Sequence, residues 1–333
     1  MKAFDYASPS SLDEAQGMLS QWGADAMVLA GGTDLVVAMK KGIHNPKLLV
    51  SVRNMSELKD LRFDPRDGLS VGAAVTLSRL AGSDAVKDNF PILAQAAASV
   101  ASYQIRHRAT IGGNVALDSR CWYYNQSKFW KKSYPDCRKI DGDTCYIVKG
   151  GTRCYALFSA DTVPALLALD ARVRIAGPEG LVLMQLSDLY TGTGDPANTL
   201  RADQIIAEVF LPRIPERRAY YRKYQNRPSI DFATVTIAAA AVKGAGGLPE
   251  DIRIVLGGVD SGPVRARQAE HLWQAAARQG AVDPTEVAAV AARETRVFNT
   301  FNGSAIYKKR IVQDLVEQAV RHISAGVVRA TPV

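Results

Sequence analysis

The sequence lacks the long apolar segments of membrane-spanning and secreted proteins. Its 333 residues contain no run of 18 apolar residues, and the N-terminus, Met1 to Tyr6, has no apolar core of a signal peptide. We therefore expect a cytoplasmic protein without a membrane span. A composition of 47% hydrophobic and 22% charged residues excludes a disordered chain and is sufficient for two or three hydrophobic cores.

Several common binding signatures are also missing. The sequence contains no G-x-G-x-x-G and no G-x-x-x-x-G-K-[ST], which excludes the usual dinucleotide and P-loop motifs. The formal net charge of +8 permits binding to anions. Because the basic residues are spread along the chain without a recognition motif, we expect no nucleic-acid binding. The four histidines show no metal-ligand spacing: His44, His107, His271 and His322.

Cysteine is absent from nine-tenths of the chain, because all four cysteines lie within one segment. Cys121, Cys137, Cys145 and Cys154 are separated by 15, 7 and 8 intervening residues. Cysteines that merely fill hydrophobic cores would be scattered along the sequence. The grouping therefore indicates a site.

Three interpretations of these cysteines remain open from spacing. Two disulfides would need an oxidising compartment, contrary to the expected cytoplasmic location. Structural zinc sites usually contain a Cys-x(2–4)-Cys pair, which this sequence lacks. An iron–sulfur cluster tolerates looser spacing when a long loop surrounds it. The segment also holds seven aromatic residues, which could shield a cluster or form an ordinary small core: Trp122, Tyr123, Tyr124, Phe129, Trp130, Tyr134 and Tyr146.

Two glycine turns stand out from the rest of the sequence. Residues 26–30 have the pattern of a buried strand, and the turn at 31–34 (G-G-T-D) leads into a helical pattern over 35–41. Adjacent glycines let a backbone approach a ligand, and a helix start presents free N–H groups to an anion. A second turn, T-I-G-G-N at 110–114, has the same character, so the two could clamp one diphosphate. A plain capped turn is the alternative for the first.

The remaining sequence predicts an α+β chain. Helices are predicted over 91–105, 159–170, 269–277, 284–295 and 304–323, and strands over 172–175, 205–211, 220–224, 232–242 and 252–256. Strands followed by grouped helices after residue 218 indicate a separate α+β unit, with a boundary near residues 212–215.

In order and spacing, these motifs resemble the FAD-binding medium subunit of the xanthine dehydrogenase family of molybdenum hydroxylases. The resemblance covers essentially the whole chain and is carried by A-G-G-T-D-L at 30–35, R-A-T-I-G-G-N at 108–114, Asp161 with Pro164 and Ala165, Lys223, L-G-G-V at 256–259 and P-V-R at 263–265. About 40 residues with the four cysteines interrupt it, where most members run directly from the second glycine turn into a helix.

This insertion resembles the one that holds a [4Fe-4S] cluster in the FAD subunit of 4-hydroxybenzoyl-CoA reductase. The run C-W-Y-Y-N-Q-S at 121–127 and the cysteine spacing fit that subunit closely. Some periplasmic aldehyde oxidoreductases of the family carry a comparable insertion with a different cysteine spacing, and they are the alternative.

The resemblance implies a particular domain organisation. Residues 1–217 would form a two-lobed FAD-binding domain of the molybdenum hydroxylase (PCMH) type, with lobes at about 1–55 and 56–217 and the cysteine insertion at about 118–157. Residues 218–333 would form a C-terminal domain of sheet and helices.

The resemblance also implies the residues that bind cofactors. FAD would be held by Ala30, Gly31, Gly32, Thr33, Asp34 and Leu35 in the diphosphate loop, by Thr110, Gly113 and Asn114 in the second phosphate turn, by Asp161 at ribityl or ribose hydroxyls, by Ile206 beside the adenine or flavin, and by Lys223 near the isoalloxazine. Cys121, Cys137, Cys145 and Cys154 would ligate the cluster. No catalytic residue is expected in this chain, since substrate would react on another subunit.

The implied function is electron transfer within a molybdenum-containing oxidoreductase complex. The partners would be a large molybdopterin-binding subunit and a small [2Fe-2S] subunit, in a dimer of heterotrimers. Electrons from an external partner such as ferredoxin would pass through [4Fe-4S], FAD and [2Fe-2S] to molybdenum, where an aromatic CoA ester loses a phenolic hydroxyl. The alternative is the FAD subunit of an aldehyde or N-heterocycle oxidoreductase working in the oxidative direction.

Two other classes fit the sequence less well. A stand-alone flavin oxidase would need its own acid–base constellation, for which the sequence offers no convincing candidate. A zinc-stabilised binding module would leave both glycine turns without a role.

Overall fold

The computed structural model describes residues 1–244, 248–300 and 303–325. Three sheets follow one another along this part of the chain, and each contributes to its own hydrophobic core. The α+β class predicted from the sequence is confirmed. Within the described ranges, none of the helices has the length and apolar character needed to span a bilayer.

The first sheet is parallel, with strand order β1-β3-β2. Its elements are β1 (Asp5–Ala7), α1 (Leu12–Trp22), β2 (Ala26–Leu29), α2 (Leu35–Lys40) and β3 (Leu48–Ser51). Helix α1 begins where the Ser11 hydroxyl accepts the N–H of Glu14 at 3.2 Å, and it ends at Gly23 with φ 52°. The first glycine turn follows β2 directly. It therefore lies at the carboxyl edge of a parallel sheet, where α/β proteins bind ligands.

The second sheet has five strands in the order β4-β5-β8-β6-β7, and all its pairings are antiparallel. The elements of this unit are β4 (Leu61–Asp64), β5 (Gly68–Gly72), α3 (Leu77–Gly82), α4 (Asp84–Asn89), α5 (Pro91–Ala98), α6 (Tyr103–Arg106), α7 (Ile111–Val115), α8 (Lys128–Lys131), α9 (Thr162–Ala168), β6 (Arg172–Gly177), β7 (Gly180–Gln185) and β8 (Ile205–Pro212). Val71, Val209 and Val173 lie opposite one another on three adjacent strands and are fully buried, so the register places one apolar row in the core.

One predicted helix in this unit is interrupted. The apolar pattern over 91–105 predicts one helix, whereas the structure has α5 and α6 separated by a turn. Ala101 has φ 46°, a left-handed conformation that ends a right-handed helix. Its carbonyl accepts the N–H of Ile230 at 3.0 Å and the hydroxyl of Ser229 at 3.2 Å. The break therefore anchors a loop of the next unit.

The third sheet is antiparallel, with order β12-β11-β10-β9. Its elements are β9 (Arg217–Tyr224), β10 (Val235–Lys243), β11 (Pro249–Gly257), β12 (Val264–Arg265), α10 (Arg267–Arg278), α11 (Pro284–Glu294) and α12 (Ala305–Ser324). The sequence of strand β10 is mostly apolar, because both faces of the strand are buried. Ala238 and Ala240 join the core of the second unit, while Ile237 and Ala239 pack in the core formed with the C-terminal helices.

Candidate functional site

A cleft of about 590 Å³ is lined by residues from all three units. This volume is typical of a site for a cofactor-sized ligand. Eleven of the twelve residues expected to bind the cofactor line it: Ala30, Gly31, Gly32, Thr33, Asp34, Leu35, Thr110, Gly113, Asn114, Asp161 and Ile206. The fold thus brings together residues that are up to 176 positions apart, from Ala30 to Ile206. The twelfth residue, Lys223, is not among the described residues that line the cleft. It lies behind one of them, Asp161, to which it is hydrogen-bonded.

The first glycine turn contacts the backbone just before the second one. A Cβ on Gly31 would overlap the carbonyl group of Arg108, two residues before the second turn. On Gly112, a Cβ would lie 2.6 Å from the Cβ of Ala73. These two positions therefore need glycine for packing within the protein. Among the described atoms, a Cβ on Gly113 would have only the Thr110 hydroxyl within 4 Å, at 3.2 Å. This glycine therefore faces the cleft itself.

The polar side chains of the second turn hold the turn in place. The Thr110 hydroxyl accepts the N–H of Gly113 at 3.1 Å and thereby caps α7. The Asn114 side-chain oxygen accepts both the N–H and the hydroxyl of Thr162, at 3.2 and 2.6 Å. The turn is therefore fixed to the start of α9, which positions Asp161 beside it.

Asp34 pairs with a residue that the sequence analysis did not select. Its carboxylate accepts a hydrogen bond from the Arg120 guanidinium at 2.6 Å, although Asp34 occupies the N-cap position of α2. The guanidinium also lies over the ring of Phe232, 4.5 Å from its centre. Arg120 and Phe232 both line the cleft. The only sequence signal for Arg120 is its place just before Cys121.

Asp161 and Lys223 form a buried ion pair at the back of the cleft. Their side chains are 5% and 3% exposed, and the ammonium lies 2.8 Å from Oδ2 of Asp161. Lys223 also donates to the carbonyls of Asp231 and Ser99, at 2.9 and 3.0 Å. Burial raises the pKa of Asp161 to about 6, although Lys223 opposes the rise. Lys223 therefore contributes to the site by holding Asp161 in place.

The second carboxylate oxygen of Asp161 is buried. This atom, Oδ1, has no hydrogen-bond partner among the described residues. A buried carboxylate oxygen without a donor is costly, and a hydroxyl group in the cleft would satisfy it. FAD carries such hydroxyls on its ribityl chain and ribose, so the geometry fits a sugar-containing cofactor.

Three further cleft residues were missed by the sequence analysis. Burial lowers the pKa of His44, so this imidazole is neutral near pH 7. Ile230 and Phe232 lie on the loop between β9 and β10 and keep 58% and 42% of their surface exposed. Ile230 and Phe232 are distant in sequence from both glycine turns, which is why no local motif indicated them.

The cysteine insertion is closed at its base by backbone pairing. The N–H groups of Arg120 and Leu157 donate to each other's carbonyls at 2.8 and 2.7 Å. Farther out, the rings of Tyr123, Trp130, Tyr134 and Tyr146 contact one another with centroid distances of 4.9–5.9 Å. Tyr134, Trp122 and Phe129 are 43%, 50% and 86% exposed, whereas Tyr124 is buried. The four contacting rings thus form a partly exposed aromatic cluster.

All four cysteines line one small cavity beside this aromatic cluster. They are free thiols, and Lys139, Tyr123, Tyr124 and Tyr146 complete much of its wall. Burial raises the pKa of Cys154 to about 11 and raises that of Cys121, so these thiols stay protonated near pH 7 unless a cation binds. Within the described ranges, no three His, Cys, Asp or Glu side chains are placed so that they could hold a single metal ion.

Comparison with known families gives two matches along the chain. Residues 2–214 match the family described as FAD binding domain in molybdopterin dehydrogenase, and residues 219–323 match CO dehydrogenase flavoprotein C-terminal domain. The first match alone covers more than half of the chain.

Individual relatives agree with this assignment. The FAD-binding subunit of aldehyde oxidoreductase from Escherichia coli is 31% identical over 284 residues, which cover 81% of this chain and 86% of that subunit. The carbon monoxide dehydrogenase medium chain of Afipia carboxidovorans is 27% identical and covers 97% of both chains. Among solved structures, carbon monoxide dehydrogenase from Hydrogenophaga pseudoflava superposes with a TM-score of 0.77 at 25% identity, covering 97% of this chain and 98% of that one.

The cleft, its paired glycine turns and these matches lead to one assignment. This chain is an oxidoreductase subunit and belongs to the FAD-binding medium subunits of the xanthine dehydrogenase and CO dehydrogenase family.

Proposed function

We propose that this subunit carries two redox groups, FAD in the cleft and a [4Fe-4S] cluster in the thiol cavity, and transfers electrons between an external partner and the other subunits of a molybdenum enzyme. The observation that carries the proposal is that all four cysteines, which span 34 residues, line a single cavity beside the cleft. When bound, the flavin exchanges one or two electrons and the cluster exchanges one.

The residues of the cleft would bind and orient the flavin cofactor. The contact between Gly31 and Arg108 brings the two glycine turns together, and Gly113 leaves room for a close backbone approach. The free oxygen of Asp161 would accept a hydrogen bond from a sugar hydroxyl, while Lys223 would act through Asp161. The other residues expected from the resemblance would line the remaining wall.

The thiol cavity suits a cluster better than a single zinc ion. Four sulfurs on one zinc, each at about 2.3 Å, would lie about 3.8 Å from one another. The described residues contain no such compact set. In a cubane each thiolate binds a different iron, so the four sulfurs surround a wider space. The cavity has a volume of about 20 Å³, so the thiol groups would lie farther apart with a cluster bound.

The charge around the cavity would favour an anionic group. The ammonium of Lys139 lies 5.1 Å from the centre of the Tyr124 ring, and that of Lys131 lies 5.3 Å from it. The exposed Lys128 and Lys132 extend this positive surface beside Phe129. An acidic electron carrier such as ferredoxin is the external partner that this surface would attract.

The partners and the domain boundaries follow from the resemblance. We propose a large molybdopterin-binding subunit and a small [2Fe-2S] subunit, assembled as a dimer of heterotrimers, and domains at 1–217 and 218–333. The carbon monoxide dehydrogenase relatives are named medium chains, which supports a complex of several chains. The four free thiols favour a reducing, cytoplasmic location.

For the substrate of the complex we propose an aromatic CoA ester that is reductively dehydroxylated. The cysteine spacing and the run C-W-Y-Y-N-Q-S at 121–127 support this choice. A second candidate is oxidation of an aldehyde, and the 31% identity to the FAD-binding subunit of an aldehyde oxidoreductase supports it.

Cys137→Ser tests the cluster, and substrate assays on the intact complex test the reaction. We expect the Cys137→Ser complex to lose iron from this subunit and to keep its FAD, while Ser133→Ala, an exposed change in the same loop, keeps both. Full iron retention in Cys137→Ser would contradict ligation by this residue.

The two substrate candidates are separated by the direction of the assay. With a reduced low-potential donor, the complex should convert 4-hydroxybenzoyl-CoA to benzoyl-CoA. Oxidation of benzaldehyde with an electron acceptor, and no turnover of the CoA ester, would instead establish the second candidate.

A further inference from the structure

The cleft and the thiol cavity share one wall, formed by residues 118–121 and Lys139. Asp118 and Arg120 line the cleft, whereas Cys121 and Lys139 line the thiol cavity. The Lys139 ammonium lies 2.8 Å from the Asp118 carboxylate. One ion pair therefore joins the two sites, with its acid in one and its base in the other.

Lys139 is held rigidly in this wall. Its side chain is 3% exposed, and its ammonium also donates to the Gly194 carbonyl at 2.6 Å and to the Ser119 hydroxyl at 2.9 Å. A second carboxylate, that of Asp195, lies 4.0 Å away. Because the ammonium is buried and fully hydrogen-bonded, its charge is fixed in position and poorly screened by water.

The ion pair has one charge next to each cavity. Burial is the main cause of the lowered pKa of His44 in the cleft wall; Asp118 opposes this lowering and Lys139 adds to it. On the other side, the Lys139 ammonium lies 5.1 Å from the centre of the ring of Tyr124, which lines the thiol cavity.

We propose that Lys139 and Asp118 form a charge link that sets the reduction potentials of the two redox groups together. The part of this inference that concerns the cluster rests on the proposed function, whereas the part that concerns the flavin depends only on the FAD site. Adding an electron beside a fixed cation is favourable, and adding one beside a fixed anion is unfavourable. Lys139 would therefore make both groups easier to reduce, and Asp118 would make both harder to reduce.

The test is a redox titration of the intact complex, with the flavin followed by absorbance and the cluster by electron paramagnetic resonance. In Lys139→Met, we expect the reduced-to-oxidised ratio of the cluster at a fixed potential to fall about tenfold, which for a one-electron couple is about 59 mV. The flavin potential should move in the same direction. Asp118→Asn should move both potentials the opposite way, and the double variant should return towards the wild type.

Lys149→Met is the matched control, because it removes the same charge from an exposed position in the same loop. We expect it to leave both potentials unchanged. Equal shifts in Lys149→Met and Lys139→Met would overturn the proposal, since they would reflect net charge alone. Unchanged flavin potentials in both Lys139→Met and Asp118→Asn would overturn it as well.

The outcomes also separate this inference from the proposed function. If the wild-type subunit contains no iron, the cluster is refuted, yet opposite flavin shifts in Lys139→Met and Asp118→Asn still support the link. If Lys139→Met fails to assemble, Asp118→Asn alone decides, because its flavin must then become easier to reduce.

Discussion

Replacing Lys223 with methionine removes the cation that pairs with Asp161 behind the cleft. The Lys223 ammonium is bonded to the Asp161 carboxylate and to the carbonyls of Asp231 and Ser99 at 2.8–3.0 Å. Methionine has a similar length but offers no donor. The variant therefore keeps the packing and leaves the Asp161 carboxylate, which is 5% exposed, without its partner.

The variant's loss of stability should depend on pH in a defined way. In the wild type, burial raises the pKa of Asp161 from 3.8 to about 6. Between these pH values the unfolded chain has lost the proton and the folded chain still holds it, so the free energy of unfolding falls as the pH rises. Above pH 6 this group causes no further loss. Without Lys223 the folded-state pKa of Asp161 rises higher still. The variant then continues to lose about 1.4 kcal/mol for each pH unit above 6.

The expected magnitude follows from this difference. For each pH unit between 6 and the raised pKa of the variant, the free energy of unfolding of Lys223→Met should fall by about 1.4 kcal/mol relative to the wild type, a factor of about ten in the unfolding equilibrium. Below pH 6 a constant difference on the order of 1–3 kcal/mol remains, because buried acceptors have lost their donor.

Urea unfolding of the FAD-free chain at several pH values measures this difference. The control is Arg222→Met, a neighbouring exposed position on the same strand, which should follow the wild-type pH curve. If the curves of Lys223→Met and the wild type run parallel between pH 6 and pH 8, the ion pair does not control the ionisation of Asp161 and the reasoning is refuted.

Two glycine substitutions test the cleft itself. Gly31→Ala should destabilise the site and lower FAD occupancy, because the added methyl group overlaps the Arg108 carbonyl. The control is Gly17→Ala on α1, which has no described atom within 4 Å of its Cβ and should keep full occupancy. Equal FAD content in the two purified variants would contradict the contact between Gly31 and Arg108. Gly113→Val should lose FAD while unfolding at nearly the wild-type urea concentration, since the Thr110 hydroxyl is the described group that its Cβ approaches within 4 Å; normal occupancy would remove this turn from the site.

Local sequence patterns predicted the parts of the site that are continuous in the chain. The strand before Gly31 and the helix after Asp34 appear where expected, because a buried apolar run and a glycine turn are local signals. The grouping of the cysteines likewise indicated a common site, and the structure places all four around one cavity.

Other parts depend on contacts between distant residues and could not be inferred from such patterns. Asp34 and Arg120 are 86 residues apart, and Asp161 and Lys223 are 62 apart. The resemblance to the family selected Asp34, Asp161 and Lys223, but only the fold shows that Lys223 lies behind Asp161 and pairs with it. The break at Ala101 also depends on a contact between distant residues. The apolar pattern alone favours one continuous helix, whereas the hydrogen bond to Ile230 is made where the helix is interrupted.

The most direct test of the account is the content of iron, acid-labile sulfide and FAD in this subunit, isolated anaerobically with its partners and then separated from them. The proposed pair of redox groups predicts about four iron atoms, four sulfides and one FAD per chain. One FAD with zinc, or with no metal, would contradict the cluster and leave the four cysteines without the role assigned to them.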